Sequence, residues 1–186
     1  MPPIPGAKQE NVFQLWTLDD MDAIDAFISE NEPETALVVG GGFIGLEMVE
    51  ALSKRGMKVS LVEMSPQIMP NLEGEMAGFL TKELQDYGVD LHLGAALESI
   101  DGRKAMLSNG KKLDADMIMM SVGVKPTLKL AQEAGLELGE AGGLLVDNRL
   151  QTSDESIFAA GDMLEIENRI NSRKAVSYTH LRAHET

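Results

Sequence analysis

Three glycines and one glutamate have the types and spacing of a dinucleotide site. Gly40, Gly42 and Gly45 form a G-x-G-x-x-G pattern, and Glu63 follows at the distance of about 20 residues that such sites use. The first glycine allows a tight turn, and the second lets the backbone approach a pyrophosphate. The third leaves room for a helix to pack closely on a strand. A carboxylate at the last position accepts hydrogen bonds from ribose hydroxyl groups. The pattern therefore predicts a pyrophosphate-binding turn with a ribose acceptor beside it.

The segment that carries these residues predicts a strand, a turn, a helix and a second strand. Residues 36–39 and 59–62 are short apolar runs typical of buried parallel strands. Between them Ile44, Met48 and Leu52 repeat at helical spacing, so the helix begins at the turn and directs its N–H groups toward the phosphates. The alternative is a glycine turn that binds no ligand, and the acid at the end of the second strand favours the nucleotide site.

The acid also predicts which nucleotide binds. A 2′-phosphate beside Glu63 would meet a like charge, at a cost of about 1 kcal/mol in water and about 4 kcal/mol at an effective dielectric constant of 20. Neither arginine nor lysine follows at Met64, Ser65 or Pro66 to neutralise such a phosphate. The sequence therefore favours NAD(H) over NADP(H).

The whole pattern predicts an α/β fold, a Rossmann-like parallel sheet with an antiparallel β-meander insertion. Turn signals at 101–102 and 109–110 indicate the meander, and the apolar run at 116–122 returns to the buried sheet. A helix over 73–87 is expected to direct one apolar stripe toward the core: Met76, Leu80, Leu84 and Tyr87. Shorter elements are expected over 12–16, 17–29, 89–93, 128–134 and 144–146.

Composition excludes several classes of protein. The 186 residues allow one full core, and the formal charge of −14 opposes nucleic acid as a partner. No apolar run approaches the roughly 20 residues that span a bilayer, and the first residues lack the pattern of a signal peptide. With no cysteine, the chain has neither a disulfide framework nor a thiol redox centre. We expect a cytoplasmic protein with no membrane partner and no metal site.

Three motifs in order resemble one family. The central stretch, GVKP at 123–126 and TSDESIFAAGD at 152–162 are together similar to the FAD-dependent pyridine nucleotide-disulfide oxidoreductases. GGGFIGLEMVEAL followed by LVEMSPQIMP resembles the branch of coenzyme A disulfide reductases and NADH oxidases. The resemblance implies passage of hydride from NADH to FAD, and then of electrons to a disulfide or to oxygen.

The resemblance also implies a division of the chain. Residues 1–33 correspond to a stub of an FAD domain and a linker, 34–147 to the NAD(H)-binding domain, and 148–175 to the truncated start of a second FAD-domain segment. Residues 176–186 (VSYTHLRAHET) resemble a translated sequencing adapter and are interpreted as an artefact. We therefore expect a fragment that is inactive by itself, because the redox cysteine and the missing FAD-domain segments, together with a homodimer interface, belong to the full-length parent.

Residues that match the family motifs take their expected roles from the resemblance. Phe43 corresponds to an aromatic gate over the flavin, although a core aromatic is the alternative. Glu47 corresponds to the glutamate that contacts the nicotinamide carboxamide. Asp162 corresponds to the acid that accepts a flavin ribityl hydroxyl; the alternative is a cap of a following helix, and the two roles are compatible. Further cofactor-binding residues are expected in the same motifs: Ile44, Gly123, Val124 and Gly161.

Two other functions stay open at the level of sequence. A ferredoxin-reductase-like flavoenzyme shares the glycine pattern and the acid but has no redox cysteine. A non-catalytic NAD-binding module would need neither FAD nor the FAAGD motif.

Overall fold

A five-stranded parallel sheet forms the centre of the first of two units, Met1–Gly123 and Val124–Thr186. The computed structural model describes residues 2–123, 126–167 and 174–176. The elements of the first unit are, in chain order, β1 (Val12–Phe13), α1 (Leu18–Asn31), β2 (Thr35–Val39), α2 (Phe43–Lys54), β3 (Lys58–Glu63), α3 (Gly74–Asp86), β4 (Asp90–Leu93), β5 (Leu97–Asp101), β6 (Lys104–Leu107), β7 (Lys112–Asp114) and β8 (Met117–Met120).

The strand order of the sheet is β1-β8-β2-β3-β4, with every neighbouring pair parallel. The antiparallel strands β5, β6 and β7 form a separate three-stranded sheet inserted before β8. Since all parallel strands end at one edge, the carboxyl ends of β2, β3 and β8 lie next to one another there. The predicted fold class, a Rossmann-like sheet with a meander insertion, is confirmed.

The two faces of the sheet are covered by different elements. Side chains alternate along each strand, so Val38 packs with Val49 and Leu52 of α2, whereas Leu37 packs with Leu107 of the meander. Both faces are therefore buried, which explains why β2 and β8 are continuous apolar runs rather than alternating ones. Residues at the carboxyl ends of β2, β3 and β8 line a cleft, and the predicted site lies there.

One predicted stripe faces the wrong way. Met76, Leu80 and Tyr87 are 57%, 37% and 76% exposed. Ala77 is instead the buried residue of α3, and of the predicted stripe only Leu84 packs partly against the core. The expectation that Met76, Leu80 and Tyr87 face the core is wrong. A search for large apolar side chains does not find Ala77, because alanine adds little to an apolar stripe.

Asp116 joins the connection between β7 and β8 to the start of β2. Its Oδ2 accepts hydrogen bonds from Thr35 N (2.9 Å), Thr35 Oγ1 (2.7 Å) and Glu34 N (3.2 Å), and Arg103 forms an ion pair with it. Burial raises the pKa of Asp116, but the Thr35 hydrogen bonds and the Arg103 charge together outweigh it, so the pKa lies below its ordinary value.

Replacing Asp116 with asparagine is expected to lower the free energy of unfolding by about 1–3 kcal/mol at pH 7, because the amide cannot satisfy the same donors. Because the pKa of Asp116 is lowered in the folded protein, its contribution to the free energy of unfolding is complete above the unfolded-state pKa of about 4. That contribution is lost as the pH falls through the pKa of Asp116 in the folded protein. Urea unfolding between pH 7 and pH 3 should show that the difference in free energy of unfolding between wild type and D116N becomes smaller in acid. D114N, at an exposed position nearby, is the control, and a gap independent of pH would contradict this account.

The second unit has a small core of its own. Ala131, Leu144 and Leu164 are buried together. Its elements are α4 (Lys129–Glu133) and a hairpin of β9 (Glu165–Glu167) and β10 (Lys174–Val176). The predicted strand at 144–146 is present only as single bridges from Leu144 to Leu138 and Leu164. The predicted domain boundaries stay predictions, although β1, from the expected linker, pairs with β8 in the parallel sheet.

Across the ranges that the structure describes, none of the helices combines the length and apolar character needed to cross a membrane.

Candidate dinucleotide-binding site

A cleft of about 500 Å³ opens at the carboxyl edge of the parallel sheet, entirely within the first unit. Its volume lies within the range of small-molecule sites, about 300–1,000 Å³. Four predicted site residues line it, namely Gly40, Gly42, Glu63 and Gly123. The remaining lining residues are Pro2, Ile4, Val39, Val62, Met64, Pro70, Ala95, Ala96, Leu97, Ser121 and Val122. The walls are therefore mostly apolar, with Glu63 as the charged group.

The fold itself requires glycine at two positions of the turn between β2 and α2. Gly40 has φ +107°, and a Cβ there would lie 2.4 Å from the carbonyl oxygen of Ser121. A Cβ on Gly45 would lie 1.9 Å from the carbonyl oxygen of Gly40. Both obstacles are backbone atoms, which cannot rotate away. The structure thus shows the tight turn and the close packing of helix on strand.

Gly42 differs from its two neighbours in the motif. Its φ of −83° and ψ of −173° suit any residue, and a Cβ there would meet nothing within 4 Å. It is the N-cap of α2, yet no side chain caps the helix. Because Gly42 also lines the cleft, α2 begins at the cleft wall, with the positive end of its dipole there. This arrangement fits a pyrophosphate, because it offers donors without a side chain in front of them.

Glu63 is held in place by backbone amides. Its Oε2 accepts a hydrogen bond from Gly41 N and its Oε1 accepts one from Ser65 N, both at 2.7 Å. Each oxygen of an ionised carboxylate has a second lone pair, so Glu63 can still accept from two hydroxyl groups. Neither lysine nor arginine is present among the described residues that line the cleft. The described lining therefore suits a ribose diol and carries no cation that would balance a 2′-phosphate.

Other predicted residues lie on α2 outside the lining of the cleft. Phe43 and Ile44 are 49% and 37% exposed, and Glu47 is exposed one turn further along. Phe43 belongs to neither of the two clusters of buried side chains that cover the faces of the parallel sheet. The alternative that Phe43 is an aromatic residue of the core therefore does not fit. These side chains are available to a partner surface or ligand on the side of the glycine turn.

The remaining predicted residues are divided between the two units. Gly123 lines the cleft with φ +76°, whereas Val124 lies outside the described residues. Gly161, with φ +97°, and Asp162 are exposed in a turn of the second unit. The alternative that Asp162 caps a following helix is wrong over the described residues to 167, because the turn leads into the strand β9.

Sequence reasoning missed several residues of the cleft. Ala95 and Ala96 follow β4 after Gly94, and Ala95 N donates to the carbonyl oxygen of Glu63 at 3.1 Å. Their place after a predicted parallel strand was the signal that could have identified them, since ligands gather at strand ends. Pro2 and Ile4 have no such signal.

A parallel sheet with a glycine-rich turn and a carboxylate at the end of the next strand defines a Rossmann-type dinucleotide-binding fold. Residues 1–178 match the pyridine nucleotide-disulphide oxidoreductase family, and the chain belongs to that family. The relation inferred from the three motifs is confirmed. Members of this family use FAD and NADH.

Individual relatives extend well beyond this chain. An NADH oxidase from Methanocaldococcus jannaschii is 39% identical over 181 residues, which are 95% of this chain and 40% of the relative. A coenzyme A disulfide reductase from Staphylococcus aureus is 31% identical over 158 residues, 85% of this chain and 36% of the relative. The crystal structure of reduced CoADR-RHD from Bacillus anthracis is 38% identical with a TM-score of 0.89, over 95% of this chain and 32% of that one. The chain therefore spans at most 40% of these relatives.

Proposed function

We propose that this chain is the NADH-binding part of an FAD-dependent oxidoreductase that passes hydride from NADH to FAD and then electrons to a disulfide, such as coenzyme A disulfide, or to oxygen. The observation that carries the proposal is the meeting of an uncapped helix N-terminus and an amide-held carboxylate in one cleft. The names of the relatives, NADH oxidase and coenzyme A disulfide reductase, support the reaction class.

The residues of the first unit would bind and orient the dinucleotide. The pyrophosphate would take the space in front of Gly42, and Glu63 would accept the hydroxyl groups of the adenosine ribose. The nicotinamide half would lie toward Gly123 and Val124, with Glu47 in contact with the carboxamide. Gly40, Ile44 and Gly45 would shape the turn and the first helical turn that support these contacts.

FAD, when bound by the longer protein, supplies the acceptor for the hydride. Asp162 is exposed in a turn beside the positive φ of Gly161, so its carboxylate is accessible to a ribityl hydroxyl. Phe43, half exposed at the start of α2, would cover the flavin face until the nicotinamide enters. The task of these residues is to position two cofactors rather than to react, since the hydride chemistry belongs to the cofactors.

The proposal extends to the longer parent protein. The missing FAD-domain segments and the redox cysteine would be supplied by sequence outside this chain, and the parent would act as a cytoplasmic homodimer. The chain alone is then expected to bind NADH without turning it over.

Titration of the purified 186-residue chain with NADH and with NADPH tests the proposal directly. The fluorescence of the reduced nicotinamide should change saturably with NADH and less tightly with NADPH. Absence of saturable NADH binding, or tighter binding of NADPH, would overturn it.

Replacing Glu63 with glutamine is expected to weaken NADH binding by about 10-fold, because charge-assisted hydrogen bonds to the ribose become neutral ones. NADPH binding should change less, since the same substitution removes the repulsion of its 2′-phosphate. The ratio of the two dissociation constants, from the same fluorescence titration, is the decisive quantity. E98Q removes an equal charge at an exposed position of β5 and serves as the control. If E63Q leaves the ratio of the NADH and NADPH dissociation constants unchanged, Glu63 does not distinguish the ribose of NADH from the 2′-phosphorylated ribose of NADPH.

A further inference from the structure

Two residues from the start of the chain line the same cleft as Gly42 and Glu63. Pro2 and Ile4 are part of its wall, although they precede the glycine turn by more than thirty residues. Ile4 is half buried and packs against the buried cluster on the meander face of the sheet. We call residues 2–11 the N-terminal strap.

The strap is hydrogen-bonded to the meander along its length. Ile100 N donates to the carbonyl oxygen of Pro5 at 2.9 Å. The amide of Gln9 donates to the carbonyl oxygen of Ile100 at 3.0 Å and accepts from Gly102 N at 2.9 Å. Asn11 Nδ2 donates to the carbonyl oxygen of Gly102 at 3.2 Å. The strap therefore has a defined register on β5.

Close approach of backbones fixes the middle of the strap as well. Gly6 has φ +85°, and a Cβ there would lie 2.0 Å from the carbonyl oxygen of Ile100. Only glycine allows this approach, so the chain around Ile4 is held firmly where it meets the cleft.

The chemistry of the wall indicates what it would contact. Ile4 packs against the cluster that contains Ala95 and Leu97, and Ala95 N donates to the carbonyl oxygen of Glu63. This part of the cleft is thus apolar and adjoins the residue that would hold the adenosine ribose. An apolar wall suits a flat heterocycle and not a phosphate, since phosphates require donors or positive charge.

We propose that the N-terminal strap is a wall of the dinucleotide site, with Pro2 and Ile4 in apolar contact with the adenine ring. The inference rests on the proposed function and adds to it a binding element that lies outside the glycine motif. The affinity for the nucleotide then depends on the hydrogen bonds that hold the strap against β5.

The test uses the full 186-residue chain with two ligands, NADH and ADP-ribose, which keeps the adenosine half and lacks the nicotinamide. I4S should raise the dissociation constants of both by the same factor, about 3- to 10-fold, whereas I4M, which keeps an apolar side chain, should restore them to within about 2-fold. I28S makes the same substitution at a half-buried position of α1 and should leave both constants unchanged. P2S, which alters the other wall residue, decides the question if I4S does not fold.

The outcomes separate this inference from the proposed function. If the wild-type chain does not bind NADH, the proposed function fails. If the wild type binds, and folded I4S and P2S bind NADH as tightly, the strap is not part of the site. A loss of NADH affinity without any loss for ADP-ribose would overturn the contact with adenine. If I28S loses as much nucleotide affinity as I4S, the loss in I4S comes from lower stability and not from a lost contact with adenine.

Discussion

Replacing Gly42 with alanine is expected to weaken NADH binding by about 10- to 100-fold while the fold is preserved. The added methyl group would meet no protein atom within 4 Å, and the φ and ψ of Gly42 are ordinary for alanine. The fold therefore has no reason to exclude it, and the change of an N-cap residue costs at most about 1 kcal/mol. The methyl group would instead occupy the space through which a pyrophosphate reaches the helix N–H groups. Loss of one or two charge-assisted hydrogen bonds gives the expected factor.

Two measurements on G42A test this expectation. The dissociation constant for NADH comes from nicotinamide fluorescence, and the unfolding midpoint comes from circular dichroism during heating. NADH affinity equal to that of the wild type would mean that the pyrophosphate does not approach Gly42. A large fall in the midpoint would mean that Gly42 serves the fold instead.

Replacing Gly40 with alanine is expected to have the opposite result, a loss of about 2–6 kcal/mol in the free energy of unfolding. The φ of +107° is strained for any residue with a side chain, and the new Cβ would lie 2.4 Å from the carbonyl oxygen of Ser121. That oxygen follows β8 directly, so it can yield only if the end of the strand moves. Against a total stability of about 5–15 kcal/mol, such a loss leaves part of the population unfolded.

Urea unfolding followed by circular dichroism measures the effect in G40A, with G42A as the matched control. The two variants carry the same substitution two positions apart in one motif. Unfolding midpoints that agree within error would contradict the account, because the backbone at Gly40 would then have room for a side chain. The pair thus distinguishes a glycine that the fold requires from one that the ligand requires.

The parts of the site that sequence could predict are those whose chemistry is local. The turn, the start of α2 and the acid at the end of β3 all lie within one strand–helix–strand segment, so their spacing alone brings Gly42 and Glu63 together. Ser121 and Ala95 reach the cleft only because β8 and β4 flank β2 and β3 in the sheet. Their identity as wall residues depends on strand order, which spacing along the chain does not reveal.

Contacts between distant segments explain the other misses. The N-terminal strap depends on pairs about ninety positions apart, such as Gln9 with Ile100, and the proline-rich sequence indicated only an extended connection. The phase of α3 was wrong because apolar periodicity ranks Met76 above Ala77, whereas Ala77 is the residue of α3 that is buried. Val124 stays a prediction, since it lies outside the described residues.

The amide contacts of Glu63 have a consequence for redesign of cofactor preference. The carboxylate joins the glycine turn after β2 to the second residue after β3, through Gly41 N and Ser65 N. Exchange of this acid for a small neutral residue, to admit a phosphorylated ribose, would leave two amide donors without their acceptor. A variant of altered preference must therefore provide a replacement acceptor for these amides along with a cation for the phosphate. The Glu63 carboxylate, the proposed ribose acceptor, therefore also connects the segments that follow two neighbouring strands.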